Sequence, residues 1–110
     1  MRPIVPKSPR WECKRLTDLA RHYACQHCGC DNGTTVAAHS NWPEHGKAGA
    51  RKSDDIFVAY MCSTCHTWLD QGRGKDPTDV WDDTEKQEVW RRAHDRTLLA
   101  LVKDGRLKVA

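Results

Sequence analysis

The chain has 110 residues, enough for one domain and too few for two. Only 17 residues are Leu, Ile, Val or Phe, so a conventional aliphatic core must be small, yet five Trp, six Cys and a net charge of +3 argue against a disordered chain. No run of 18 apolar residues exists, and the basic, proline-containing start does not resemble a secretory signal, so we expect a cytoplasmic protein with no membrane contact.

The first predicted elements are a flexible arm and a short helix. Residues 1–10 contain three prolines and no apolar periodicity, which is typical of an arm without regular structure. Residues 11–110 are predicted to form a single α+β domain. Within residues 11–23, Leu16, Leu19 and Tyr23 recur at helical spacing and predict an N-terminal flanking helix.

Two β-prone runs follow. The first covers residues 34–38, comes after the turn-forming Asn32–Gly33 pair and delivers His39 at its end. The second covers residues 56–61. We expect the two strands to pair.

Two further helices complete the domain. Residues 62–71 contain no helix breaker and predict a short helix. A long C-terminal helix is predicted to begin at Thr84, where Gln87 completes a capping box, and to stop at Gly105. Residues 107–109 could add a minor strand.

The cysteines form two Cys-x-x-Cys pairs, whose members are Cys25 and Cys28, and Cys62 and Cys65. Each pair can direct two thiolates at one ion, and four thiolates around one centre are typical of a closed structural zinc site. The alternatives are chance pairs or a redox dithiol, although a redox site needs only one pair and a different fold context. Cys30 lies close enough to substitute for a ligand.

His66 and Asp70 lie four residues apart on the predicted short helix, so their side chains share one face. An imidazole and a carboxylate in this arrangement can hold a divalent ion and leave positions open to water and phosphate. A solvated His–Asp pair, or His66 replacing a cysteine as zinc ligand, would give the same spacing.

His39 could accept a proton from a water aimed at a phosphorus atom, or it could be a structural histidine at the end of a strand. The loop that follows contains Lys47, Arg51 and Lys52, and these cations could grip DNA phosphates or form a solvated loop. Residues 1–52 carry nine basic and four acidic side chains, which suits a phosphate-bearing partner.

Taken in chain order, these motifs resemble the HNH endonucleases, and more narrowly the small phage and prophage nucleases of the YbcO-like group. The residues that carry the resemblance are Cys25-x2-Cys28, Ala38–His39, Asp54–Asp55 and Cys62-x2-Cys65–His66-x3-Asp70. The resemblance implies a zinc-stapled ββα-metal fold, in which a strand pair and a helix surround a catalytic metal.

The resemblance also implies roles for single residues. His39 matches the general base, and Asp55 stands near the place of the middle asparagine. The ligands of a catalytic Mg²⁺ or Mn²⁺ correspond to His66 and Asp70, and the structural Zn²⁺ ligands to the four paired cysteines. Ala38 occupies a position that often supplies another metal ligand, so DNA phosphate would complete the coordination.

The implied function is a metal-dependent DNA endonuclease that acts in DNA recombination or processing. Ala38 and Asp55 depart from the family pattern and favour an alternative, a catalytically inactive zinc-binding module that binds nucleic acid or protein. The apolar stripe of the long helix leaves a homodimer open.

Overall fold

Three α-helices and one two-stranded sheet make up the part of the chain that the structure, a computed structural model, describes: residues 10–42, 45, 47, 52–71 and 83–108. The elements in chain order are α1 (Lys14–Asp18), which continues as a 3-10 turn (Leu19–His22), then β1 (Val36–His39), β2 (Val58–Met61), α2 (Ser63–Gln71) and α3 (Asp83–Lys103). The predicted α+β class is confirmed.

The first helix begins later than predicted. Residues 11–13 instead lie extended beside the turn that precedes β2: the Trp11 N–H donates to Asp54 Oδ1 at 3.0 Å, and the Asp55 N–H donates to the Trp11 carbonyl at 2.9 Å. These backbone groups are therefore committed to partners far away in sequence, and helix formation starts only at Lys14. Of the predicted arm at residues 1–10, only Arg10 belongs to the described residues.

The two strands pair as predicted, and they pair in antiparallel register, with Val36 opposite Met61 and His39 opposite Val58. Side chains alternate between the two faces of the sheet. Ala38 therefore lies on one face and His39 on the other.

Each face of the hairpin carries its own small core. On one face Ala38, Ala59 and Met61 pack with Leu69 of α2 and with Trp90 and Ala93 of α3. On the other face Val58 and Tyr60 pack with Leu16, Ala20 and Leu101. This division agrees with the low aliphatic content, because aromatic and sulfur-containing side chains supply much of the buried volume.

Helix α3 covers the outer edge of β2. The Tyr60 N–H donates to Thr97 Oγ1 at 2.9 Å, and His94 Nδ1 donates to the Val58 carbonyl at 2.8 Å. Trp90 Nε1 donates to the Ala38 carbonyl at 3.0 Å. Thr97 and His94 thus satisfy backbone groups of β2 that would otherwise need a third strand, and Trp90 adds a contact to β1.

Replacement of Thr97 by Val is expected to lower the free energy of unfolding by about 1–3 kcal/mol, because the buried Tyr60 N–H loses its acceptor without a change in side-chain shape. Urea denaturation at constant zinc measures the effect. The matched control is Thr67→Val on the exposed face of α2, which should change stability far less. Equal stabilities of the two variants would contradict this account of the strand edge.

The start of α3 differs from the prediction, whereas its end agrees with it. The helix starts at Asp83, so Thr84 lies inside the first turn rather than at the cap. At the other end Gly105 has φ of 72°, and the Arg106 N–H bonds to the Leu101 carbonyl at 2.9 Å. This hydrogen bond, from the residue after Gly105 to the last turn of the helix, ends the helix at a residue in the left-handed conformation, as predicted. Leu107 and Lys108 form no strand, and Val109 lies outside the described residues.

None of the helices in the described ranges combines the length and the apolar character that a membrane span needs.

Candidate metal centre and active-site groove

The four paired cysteines converge on one point. All of their sulfur atoms lie within 4.8 Å of one another, and Cys28 Sγ is 3.7 Å from Cys62 Sγ. Tetrahedral zinc with Zn–S bonds of about 2.3 Å would hold its sulfurs about 3.8 Å apart. The cluster is therefore compatible with a structural zinc ion.

Local backbone geometry forms the first cysteine pair. The Cys25 N–H donates to the Cys30 carbonyl at 2.8 Å, and the Gly29 N–H donates to the Cys25 carbonyl at 2.9 Å. Gly29 has φ of 80°, a left-handed conformation that glycine adopts without strain. Cys30 thus contributes its carbonyl to the turn, while its exposed thiol stays outside the cluster.

The second pair comes from the junction of β2 and α2. Cys62 follows the last residue of β2 and Cys65 lies in the first turn of α2, where the His66 N–H donates to the Cys62 carbonyl at 2.9 Å. The Gln26 N–H donates to the Tyr60 carbonyl at 2.7 Å and so attaches the first pair to β2. His66 is not a member of the four-residue cluster.

The electrostatics of the cluster favour a cation. Burial acts to raise the pKa of Cys25, but the backbone N–H groups of Cys28, Cys62 and His27 outweigh it and lower the pKa to about 7. Burial, the Cys62 thiol and the charge of Cys25 raise the pKa of Cys65 well above its usual value. Four thiolates cannot coexist here unless a cation compensates their mutual repulsion.

The structure brings His39 and Asp55 into direct contact. His39 Nε2 lies 2.8 Å from Asp55 Oδ1, and the Asp55 side chain is only 6% exposed. Because an ionised carboxylate can only accept, Nε2 carries the proton in the neutral imidazole. The other ring nitrogen, Nδ1, is then the basic one, and no described residue is bonded to it.

Two further donors hold Asp55. Arg10 Nη1 donates to Oδ1 at 2.7 Å, and the Cys13 N–H donates to Oδ2 at 2.6 Å. Burial acts to raise the pKa of Asp55, but the hydrogen bonds from His39 and Cys13 and the charge of Arg10 outweigh it and lower the pKa. Asp55 is therefore ionised at neutral pH.

His39 and Asp55 line an open groove of about 490 Å³. The basic residues along this groove are Arg10, Lys14, Arg21 and Lys52. Lys52 belongs to the predicted DNA-binding set. Lys47 is half-buried and does not line the groove, and Arg51 lies outside the described residues.

Sequence reasoning missed Lys14 and Arg21 as groove residues. The two cations are seven residues apart, close to two helical turns. This spacing could have indicated that both lie on the same face of the helix. Which side of the helix faces the hairpin depends on Leu16 and Ala20, which pack against Val58 and Tyr60.

His66 and Asp70 also lie together, with Nε2 and Oδ2 3.2 Å apart. This separation is that of a direct contact between side chains on one face of α2. Asn41 Nδ2 lies 3.5 Å from Asp70 Oδ1, which connects this pair to the chain just beyond His39.

The pair does not join a larger ligand set. Among the residues that the structure describes, the four thiols are the only group of three or more potential ligands close enough to share an ion. His66 and Asp70 do not line the groove that contains His39.

Comparison of the chain with known proteins finds no matching family model, no matching curated protein and no matching solved structure. The resemblance to HNH endonucleases therefore rests on the sequence motifs alone.

Proposed function

We propose that this protein is a metal-dependent DNA endonuclease of the HNH type, held together by structural zinc at its four paired cysteines. The observation that carries the proposal is the His39–Asp55 pair: an imidazole oriented by a buried, ionised carboxylate in the wall of a groove that also presents basic side chains.

His39 acts as the general base. Asp55 holds the proton on Nε2 and leaves Nδ1 to take a proton from the attacking water. The imidazolium that forms is stabilised by the same carboxylate, as in other base–carboxylate pairs. A positioned base of this kind contributes about 10²–10⁴-fold to the rate.

The basic residues of the groove bind the DNA backbone. Lys14 and Arg21 come from α1 and its 3-10 continuation, Lys52 comes from the segment before β2, and all three line the same groove. Contacts of this type recognise phosphates without reading bases, so we expect low sequence selectivity. Their attraction for DNA should weaken steeply as salt is added.

His66 and Asp70 would hold a divalent ion, Mg²⁺ or Mn²⁺. The ion, when bound, stabilises negative charge that develops on the phosphate during hydrolysis. Asn41 contacts Asp70 and would orient its carboxylate. With two protein ligands only, the ion is bound weakly without DNA.

One observation favours the alternative, a zinc-binding module without catalysis. Asp55 binds Arg10 and Cys13 as well as His39, so the same network could serve only to attach the N-terminal segment to the hairpin. The separation of His66 and Asp70 from the groove points the same way.

Cleavage of DNA tests the proposal. Purified protein with one equivalent of zinc is incubated with supercoiled plasmid or a branched duplex, with Mg²⁺, with Mn²⁺ or with neither. We expect nicking or cutting that requires the added ion, with 5′-phosphate and 3′-hydroxyl products. A folded, zinc-loaded protein that binds both DNAs and cleaves neither with any ion would leave the binding module as the function.

Replacement of His66 by Ala is expected to raise the Mn²⁺ concentration for half-maximal cleavage at least tenfold, because one of two protein ligands is lost. Asp70→Asn should act in the same direction. Titration of the cleavage rate with Mn²⁺ measures both, and His27→Ala, which removes an exposed histidine outside the pair, is the control. Unchanged Mn²⁺ dependence in both variants would show that the pair does not hold the catalytic ion.

A further inference from the structure

We infer that Arg10 is a positioning residue for the proposed nuclease. Its guanidinium holds the Asp55 carboxylate and, through that carboxylate, sets the orientation of His39 and which ring nitrogen carries its proton. The inference rests on the proposed role of His39 as general base. It also assigns a function to the end of a segment whose composition predicts a flexible arm.

The geometry centres on one oxygen atom. Asp55 Oδ1 accepts from Arg10 Nη1 at 2.7 Å and from His39 Nε2 at 2.8 Å, so a permanent cation and the imidazole share the same acceptor. The side chain of Arg10 is 22% exposed and that of Asp55 is 6% exposed, which shelters this contact from solvent. Loss of Arg10 would remove one of the two donors other than His39 that hold this carboxylate, and would leave Oδ1 without a cation.

Arg10 is itself held in place. Its second terminal nitrogen, Nη2, donates to Glu12 Oε1 at 2.9 Å. The following residues are attached to the turn before β2 by the hydrogen bonds of Trp11 and Cys13 described above. The segment is therefore docked on the hairpin at several points, and the Arg10 contact is part of that docking.

Charge sharing predicts a specific effect on catalysis. A carboxylate that already faces a guanidinium stabilises an imidazolium less strongly than a lone carboxylate does. Arg10 should thus weaken the attraction between the Asp55 carboxylate and the imidazolium that forms during the reaction, so its main contribution is to hold the carboxylate in line with His39. The other charged groups along the groove are Glu12, Lys14, Asp18, Arg21 and Lys52.

Those groups act more weakly on His39. Lys14 and Asp18 form an ion pair at 3.5 Å, with side chains 87% and 54% exposed. Such pairs contribute little and are screened by salt. Arg10 is therefore the sheltered charged partner of the His39–Asp55 pair, beside the Cys13 N–H on the other carboxylate oxygen.

The test compares Arg10→Gln with Arg10→Lys in the full chain. For Arg10→Gln we expect kcat to fall about tenfold or more with little change in KM, because the base is no longer aligned by its carboxylate. Arg10→Lys keeps a cation beside the carboxylate, so it should recover most of kcat. Arg92→Gln, which removes an exposed arginine paired with Glu88, should change neither quantity.

Imidazole nitrogen NMR separates this inference from the proposed function. In the wild type, His39 should carry its proton on Nε2, and in Arg10→Gln the proton should be distributed over both ring nitrogens. This response supports the positioning role even if no DNA is cleaved, in which case only the nuclease proposal fails. A raised KM with unchanged kcat and unchanged imidazole signals would instead make Arg10 a phosphate contact and overturn the inference.

Discussion

A chain stripped of the ion in its four-cysteine site is expected to lose its helical circular dichroism and its cooperative thermal unfolding. Structural zinc in small domains binds with an apparent free energy of about 10–16 kcal/mol at pH 7, as large as the whole stability of a typical domain. The ligands join the first cysteine turn to the junction of β2 and α2, and the two apolar clusters beside them are small.

Paired cysteine variants test this expectation. Cys25→Ser removes a buried ligand and should give a zinc-poor, largely unfolded protein, whereas Cys30→Ser removes an exposed thiol outside the cluster and should keep both zinc and fold. Zinc content by mass spectrometry and circular dichroism with and without chelator measure the difference. A metal-free wild type that stays folded would show that the apolar clusters suffice without the ion.

Replacement of His39 by Ala is expected to lower the rate of DNA cleavage by about 10²–10⁴-fold while zinc content and melting temperature change little. The loss follows from the removal of Nδ1, the basic nitrogen of a histidine that lines the groove. Asp55→Asn should also slow cleavage, because an amide can donate to Nε2 and shift the proton to Nδ1.

The matched control for His39→Ala is His22→Ala, an exposed histidine at the end of the 3-10 turn that does not line the groove. Single-turnover cleavage of a defined duplex, at saturating protein, isolates the chemical step from binding. Cleavage by His39→Ala at the rate of His22→Ala would exclude His39 as the base.

Local features of the sequence predicted most of the fold. The hairpin follows from two β-prone runs, α2 from a segment without helix breakers, and α3 from its capping-box signature and the stop at Gly105. The start of α1 could not be predicted in this way, because residues 11–13 bond to Asp54 and Asp55, more than 40 residues later in the chain. Long-range hydrogen bonds of this kind leave no periodic trace in the sequence.

The candidate site also contains contacts that the sequence predicted and contacts that only the structure revealed. Cysteine spacing indicated which thiols can share an ion and left Cys28 and Cys30 as alternatives. In the structure Cys28 belongs to the cluster, whereas the Cys30 carbonyl accepts the hydrogen bond that closes the turn. The spacing of His66 and Asp70 predicted their contact, which the structure contains. The contact between Arg10 and Asp55 could not be predicted, because the composition of residues 1–10 indicates only an arm without regular structure.

The sequence by itself determined the two Cys-x-x-Cys pairs, the strand that presents His39 and the helix that carries His66 and Asp70, since each depends on neighbours a few residues apart. Only the tertiary structure decided that Asp55 is the partner of His39, that Arg10 shares its carboxylate, and that Lys14 and Arg21 face the same groove. These contacts depend on how α1 and the N-terminal segment dock on the hairpin, and that docking is set by packing between residues distant in the chain.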